Sequence, residues 1–567
     1  MTQTRTFLIF AWLMVATLLW MEWGKEKNAP PPTAPAASAN QIANSTNTVP
    51  TSTVPAATGA TSPSIPDAGK PVSQPPVASA AAPPANGAAQ RITLSNDVLR
   101  LQLDGGSVRS AELLKYTQTT QPNSPPVRLL DDRAAGYFVA QSGWIARGRA
   151  APTHESGFVP AQPQRDITMP RGQHEASAAF VWTGPDGVSI RRTYTLKRND
   201  YAVLVRDDIV NAGTTPWQGY IYRQLLRDPP PSKSGMTNPE AYSFTGAAWY
   251  SPEEKYEKRK YANFVDDGPL DRQVTGGWIA LLQHYFFAGW IPQPDQAALY
   301  SLKTYGRNFA AEATGPSFTV APGAQASTQA RLWVGPKLQD RLDSVAPGLG
   351  LTLDYGIFTF LSKPLHWLLA FFHSFTHNWG WSIVLLVVLI KAALFPLSMA
   401  QYKSMAKMRK FQPRIAQLKE RYGEDRQKFQ TAMMELYKKE KINPIGGCLP
   451  VLLQMPVFLA LYWVLLESVE LRQAPWILWI QDLTARDPYF ILPILNMLVT
   501  WATQRLTPMV GMDPMQQKMM QFMPLVFGVL FAFFPAGLVL YWVTNGSLGL
   551  LQQWWMTRRY ADAPAKA

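Results

Sequence analysis

The chain predicts an α-helical membrane core of five spans plus an N-terminal anchor helix, joined to an all-β extracytoplasmic sandwich. Three observations predict this architecture. From about Asp354 onward the chain carries most of its long apolar runs. From about Arg91 to Gly335 the pattern is instead an alternation of apolar and polar residues at period two, the signature of half-buried strands. Between Ala400 and Ile442, twelve Lys/Arg face only five acids, which marks one side of the membrane as cytoplasmic.

Composition narrows the functional classes. The 567 residues carry a formal net charge of +14 and leave room for several domains. Twenty tryptophans suit membrane interfaces. Nineteen methionines suit either adaptable surfaces or ordinary core filling. The single cysteine, Cys448, excludes an internal disulfide and a cysteine-based zinc site. His373 and His377 are four apart but have no third ligand in a metal pattern, so no metal is expected. No G-x-x-x-x-G-K-[ST] motif is present, and neither a cofactor nor specific nucleic-acid recognition is expected.

Residues 1–27 read as an anchor. Phe7 to Trp20 is a short apolar stretch behind Arg5, followed directly by Glu22, Lys25, Glu26 and Lys27. The nearest small-x-small site, Ala37-Ser38-Ala39, lies too far downstream for ordinary signal cleavage, so the N-terminus is placed in the cytoplasm. Residues 28–90 are dominated by Ala, Pro, Ser and Thr and form an extended linker with no core of its own.

Residues 91–340 form the sandwich. Leu99, Leu101 and Leu103 alternate with Arg100, Gln102 and Asp104. Val188, Ile190, Tyr194 and Leu196 do the same, interrupted at Arg192, and Val203, Val205 and Ile209 continue the theme. Gly and Pro clusters such as Thr183–Gly187 punctuate the runs. Trp249, Tyr250, Tyr256 and Tyr261 suggest an aromatic cleft or, equally, core packing. No paired-carboxylate or nucleophile motif supports catalysis.

Residues 351–377 read as a helix lying in the membrane interface, with Trp367, Phe371 and Phe372 toward lipid. The core, 378–567, then holds spans at about Trp379–Leu397, Gly446–Leu466 and Tyr489–Leu506. Two short spans follow between Phe522 and Trp555, turning at Phe534-Pro535-Ala536-Gly537. Both termini fall in the cytoplasm. Within the cytoplasmic stretch 399–442, Met405, Met408, Phe411, Ile415, Leu418 and Tyr422 make one helical stripe. Phe429, Met433 and Leu436 make a second, across a turn at Gly423-Glu424-Asp425. Such a hairpin packs its stripes on each other, or offers them to an emerging hydrophobic chain or a ribosome.

Lys391 is the most informative residue. A lysine near the middle of hydrocarbon costs roughly 2.5–3.5 kcal/mol on insertion scales. The next positive charge, Lys403, is twelve positions on, about 18 Å at helical rise. Lys391 either snorkels toward the headgroups or faces a wet cavity. Gln454 and Pro456, then Asn496, Thr500, Thr503 and Gln504, then Thr544 and Asn545 place polar groups and a proline in other spans. They serve either interhelical hydrogen bonds or the lining of a hydrated pocket.

The stretch Asn443–Tyr462, NPIGGCLPVLLQMPVFLALY, closely resembles the second core span of the YidC membrane protein insertases. Glu470–Leu483, Asp487–Pro493, Asp513–Pro524 and Phe534–Trp542 resemble the same family in the same order. The resemblance implies the Gram-negative inner-membrane form, with a periplasmic β-supersandwich similar to sugar-mutarotase folds. It implies an insertase and chaperone rather than an enzyme. A hydrophilic groove, open to cytoplasm and lipid, draws in the polar tail of a nascent membrane protein. The implied groove residues are Lys391, Gln454, Asn496, Thr500, Trp542, Thr544 and Asn545. The apolar segment of the substrate then slides along Pro456, Phe458, Met523 and Phe527 into the bilayer. The implied partners are nascent membrane proteins, membrane lipids, the Sec translocon and the ribosome, the last through the hairpin and the short basic stretch Arg558–Lys566. Where the family usually has arginine, position 391 is lysine, which keeps the charge but loses the five-donor fork. Two other classes compete. A secondary transporter would use Lys391 as substrate or ion site, although no inverted repeat is visible. An envelope-binding protein would work through the β domain alone.

Overall fold

The computed structural model describes residues 90–155, 157–230, 243–264, 266–401, 411–422, 425–440, 449–506 and 514–561. The expected anchor, the linker up to residue 89, Met405, Met408 and Cys448 lie outside the described residues.

The period-two pattern becomes strands between Ile92 and Pro336. Among the described residues these strands form a ten-stranded and a nine-stranded sheet. Strand Leu99–Leu103 buries its three leucines and exposes Arg100. Trp144, Trp217, Trp278, Trp290 and Trp333 fill the interior and are fully buried. The candidate aromatic cleft is part of this packing. Trp249 and Tyr261 are buried, and Tyr250 stacks on Trp278 at 6.3 Å.

Arg192 interrupts the apolar alternation because it occupies an inward position of strand Val188–Lys197. It lies directly opposite Asp207 on strand Ala202–Asn211. Its Nε and one terminal nitrogen each donate to Asp207 at 2.7 Å. The other terminal nitrogen donates to the carbonyls of Ser142 (2.8 Å) and Gly105 (3.1 Å). Asp207 also accepts from the Trp144 indole at 2.7 Å, and Phe158 covers the guanidinium at 4.6 Å. A buried ion pair is tolerated when its remaining hydrogen bonds are met in this way.

His154 supplies a pH dependence. Its ring is buried, and Nδ1 lies 2.7 Å from the Tyr222 hydroxyl. Burial, helped by the Arg109 charge, lowers its pKa from 6.5 to about 4. Between those values the unfolded chain takes a proton that the folded chain refuses. The stability is therefore full above pH 6.5 and falls as the pH drops toward 4. The loss amounts to about 3 kcal/mol at one pKa unit per 1.36 kcal/mol. Denaturant unfolding at pH 7 and pH 4 should show this loss, and His154→Gln should flatten it.

The helical part begins with α1 (Gln339–Val345), α2 (Thr359–Thr376), α3 (Trp379–Ala393) and α4 (Phe395–Gln401). It continues with α5 (Gln412–Tyr422), α6 (Arg426–Lys439), α7 (Leu449–Glu467), α8 (Ile491–Leu506), α9 (Pro514–Phe531) and α10 (Ala536–Ala561). Helix α2 packs on α3 and α7, α10 packs on α3 and α8, and α9 packs on α8. Among the described residues no single helix is long and apolar enough to cross a membrane, but α3 with α4 is, as a pair bent by 61°. The expected straight span Trp379–Leu397 is therefore broken at Leu394. Pro396 has no N–H to return to Ala392, and it disfavours helical geometry in the residue before it.

In α2 the outward residues are Trp367, Phe371 and Phe375, each more than half exposed. Phe372, expected to face lipid, instead packs partly against the core. Positions 367, 371 and 375 repeat every four residues and share one face, and 372 is turned off it. In the hairpin, Ile415 on α5 packs with Met433 and Tyr437 on α6, flanked by Phe411, Phe429 and Leu436. The described parts of the two stripes thus pack against each other. Arg414 and Glu440 close the open end at 3.1 Å, and Asp425 caps α6 through the N–H groups of Gln427 and Lys428.

Candidate functional site

A polar and ionic seam holds the sandwich on the helices. Lys337 and Glu467, both almost wholly buried, are 3.8 Å apart. Burial holds the Lys337 ammonium below its ordinary pKa, with Glu467 opposing. His284 Nε2 lies 2.8 Å from the Leu466 carbonyl. Arg472 donates to the Thr117 carbonyl at 2.9 Å, and Gln473 donates to the same oxygen at 3.1 Å. The segment after α7 then roofs the bundle. The N–H groups of Ala536 and Gly537 donate to the carbonyls of Ala485 (2.7 Å) and Leu483 (2.8 Å). Trp476 sits so close to Gly380 that a Cβ there would lie 2.1 Å from its ring. Asn378 caps α3 and ties it to the Trp476 carbonyl at 2.9 Å.

Beneath this roof, Lys391 lies in the last turn of α3, next to the break at Leu394. A cation is favoured where helix carbonyls lose their partners. The side chain is half-buried, and no acidic partner faces it among the described residues. Its Nζ approaches α10 at Gly549, where a Cβ would be 3.6 Å away.

Helix α10 presents Trp542, Asn545 and Gly549 at spacings of three and four, so they form one stripe. Gln454 on α7 donates to Asn545 Oδ1 at 2.6 Å. Trp542 lies between Phe458 of α7 (4.7 Å) and Phe531 of α9 (5.5 Å), and its buried indole N–H has no hydrogen-bond partner among the described residues. Aromatic packing, an amide pair and an ammonium thus follow one another along α10.

Among the described residues, Asn496, Thr500 and Thr544 are not drawn into this stripe by a hydrogen bond. Thr500 donates to the Asn496 carbonyl of its own helix at 2.7 Å, and Thr503 donates likewise to Val499. Asn496 is buried and Thr544 half-buried, and among the described residues neither is hydrogen-bonded to Lys391 or Gln454. Gln504 makes an interhelical bond, to the Met520 carbonyl of α9 at 2.7 Å. Sequence reasoning missed Gly549 and the two glutamines one turn beyond it. Gln553 is buried, and Gln552 has a buried carbonyl oxygen without a partner among the described residues. The signal was available, since Gln552 lies seven positions after Asn545.

Of the four sliding-surface candidates, Pro456 and Phe527 are exposed and Met523 is half-buried. Phe458 is also half-buried, because it turns toward Trp542. The apolar face of α9 is wider than expected. Phe522, Leu525, Val526 and Val529 are each more than half exposed.

Comparison with known proteins places this build. Residues 91–368 match the family model described as the YidC periplasmic domain, and residues 371–563 match that of the 60Kd inner membrane protein. A membrane protein insertase YidC of Xanthomonas campestris pv. campestris (strain 8004) is 57% identical over 571 residues, covering 100% of this chain and 99% of that one. One of Stenotrophomonas maltophilia (strain R551-3) is 56% identical over 572 residues, covering 100% and 98%. A crystal structure of an active YidC insertase with its first transmembrane domain resolved aligns with a TM-score of 0.37 at 18% identity, over 82% of this chain and 93% of that one. The protein is therefore a non-catalytic inner-membrane insertase with a periplasmic β domain. It belongs to the YidC membrane protein insertase family, in its Gram-negative form.

Proposed function

We propose that the chain inserts membrane proteins by taking the polar tail of a nascent substrate into a hydrated cationic groove along α10. The substrate's apolar segment then leaves into the bilayer. The observation that carries this reading is the half-buried Lys391, with no acidic partner among the described residues and its ammonium beside a glycine. A cation in that setting is stable in a membrane only if water or a visiting anion solvates it. Substrate carboxylates supply such an anion.

In this reading α7, α8, α9, α10 and the bent α3–α4 pair are the five spans, and 1–27 anchors the chain. Both termini and the α5–α6 hairpin are cytoplasmic. The roof over the bundle lies on the periplasmic side, so the groove opens toward the cytoplasm and toward lipid. The orphaned Trp542 N–H, the Gln454–Asn545 pair and Gln552 give a polar tail successive places to bond. Asn496, Thr500 and Thr544 complete the groove wall. The exposed faces of α7 and α9, with Pro456, Met523 and Phe527, supply the apolar exit path, and Phe458 marks its inner edge. The packing of Ile415 on Met433 and Tyr437 makes α5–α6 a unit that meets the ribosome through its charged outer surface. The chain acts alone or beside the Sec translocon.

Gly549→Leu tests the approach to the ammonium, since a side chain there would meet Lys391 Nζ. Leucine is the better helix former, so α10 should persist while the added side chain fills the approach to Lys391. Insertion of a single-span substrate with an acidic tail into vesicles holding the purified variant should fall several-fold. Wild-type rates from Gly549→Leu would show that tails do not pass this point. The break in the α3–α4 pair also suits a transporter. Ion-driven flux of a small solute in the same vesicles, with no insertion activity, would favour that class instead.

A further inference from the structure

The interior of the sandwich contains a second guanidinium with no carboxylate of its own among the described residues. Arg223 lies on strand Trp217–Arg227, two residues from Ile221 and from Leu225, both of which face the core. It therefore points between the sheets. The register places Ser142 directly beside it on one flank and Ala313 on the other, with Tyr300 next to Ala313. Cross-strand partners share a face. Ser142, Arg223, Ala313 and Tyr300 thus form one row, with only a methyl group between the arginine and the tyrosine. Their relative exposures are 1%, 2%, 1% and 0%. Arg223 Nε, Ser142 Oγ and the Tyr300 hydroxyl all lack a hydrogen-bond partner among the described residues.

The nearby acid is already engaged. Asp207 holds Arg192 through two 2.7 Å bonds and accepts from Trp144 as well. Glu312 is one register step away on the opposite face, bound to Ser301, Lys303 and Tyr305. Around Asp207, among the described residues, two guanidinium groups, Arg192 and Arg223, share one carboxylate. A buried charge left unpaired costs several kcal/mol even after relaxation. Water would satisfy the donors but leave the charge uncompensated.

We infer that the row Ser142–Arg223–Ala313–Tyr300 is a buried anion site that takes a single halide ion, chloride in practice. Ala313 puts only a methyl group between Arg223 and Tyr300, and the guanidinium and two hydroxyls supply N–H and O–H donors. The burial of all four residues excludes a larger organic anion. The ion serves the sandwich as a structural counter-charge and is independent of the groove on α10.

The test is the thermal unfolding midpoint of the full chain in detergent, measured as chloride replaces gluconate at constant ionic strength. A ligand bound only by the folded state raises the midpoint with its concentration. The wild type should show that rise, and Arg223→Met should show none. Tyr300→Phe, which removes one donor and keeps the ring, should need roughly tenfold more chloride for the same rise, one lost bond of about 1.4 kcal/mol. Crystals grown in bromide should show an anomalous peak between Arg223 and Tyr300. A wild-type midpoint indifferent to chloride, or an unchanged rise in Arg223→Met, overturns the site. If Arg223→Met does not fold, an unchanged dependence in Tyr300→Phe overturns it.

Discussion

Replacing Lys391 with alanine should reduce insertion of substrates with acidic tails by roughly tenfold or more, whereas Lys391→Arg should retain it. A carboxylate about 4 Å from the ammonium gains roughly 4 kcal/mol of gross Coulomb energy at an effective dielectric near 20. Part of that gain is offset when both groups lose water, and a net of about 1.4 kcal/mol already amounts to a factor of ten. The alanine variant keeps α3 intact, because Lys391 makes no ion pair with a described residue that its loss would orphan. Loss of stability is thus not the expected cause. Substrates with neutral tails should be affected much less, and this contrast separates charge capture from general damage. The measurement is protease protection of tails of both kinds after insertion into vesicles containing each variant.

The largest effect on folding should come from Asp207→Ala. It leaves Arg192 buried at 0% exposure with no counter-charge, and breaking such a pair by removing one partner costs about 3–5 kcal/mol. The Trp144 indole loses its acceptor at the same time. Denaturant unfolding of the full chain should show the sandwich transition at markedly lower denaturant. Insertion should survive wherever the sandwich remains folded, since the groove residues lie on other elements. Replacing Arg192 and Asp207 together with methionine and leucine should recover much of the loss, because the penalty belongs to the uncompensated charge rather than to the absence of the pair.

Strand periodicity was legible wherever one face is buried, as in Leu99–Leu103. Arg192 read as an interruption because a single residue does not reveal its partner. The hairpin turning near Asn199 does reveal it, since Arg192 and Asp207 are almost equidistant from the turn. Lys391 stood out for a different reason, the cost of a charge in an apolar run. Pro396 announced the helix break, but hydrophobicity alone runs straight through it. The polar stripe of α10 was legible as far as Asn545. Gly549 carries no side chain to notice, and Gln552 and Gln553 lie where the chain already looks like a helix end. Thr500 and Thr503 resembled lining residues, but threonine hydroxyls in a helix bond readily to the carbonyl four residues back. Sequence does not separate that bond from one across helices.

The central claim is that part of another polypeptide lies beside Lys391 while it is being inserted. Site-specific photocrosslinking from position 454 to a ribosome-stalled nascent chain tests this most directly. With an acidic-tailed substrate, strong adducts should form at Gln454 and weaken sharply when Lys391 is alanine. Adducts confined to the lipid-exposed faces of α7 and α9, with none from position 454 in either background, would contradict the groove.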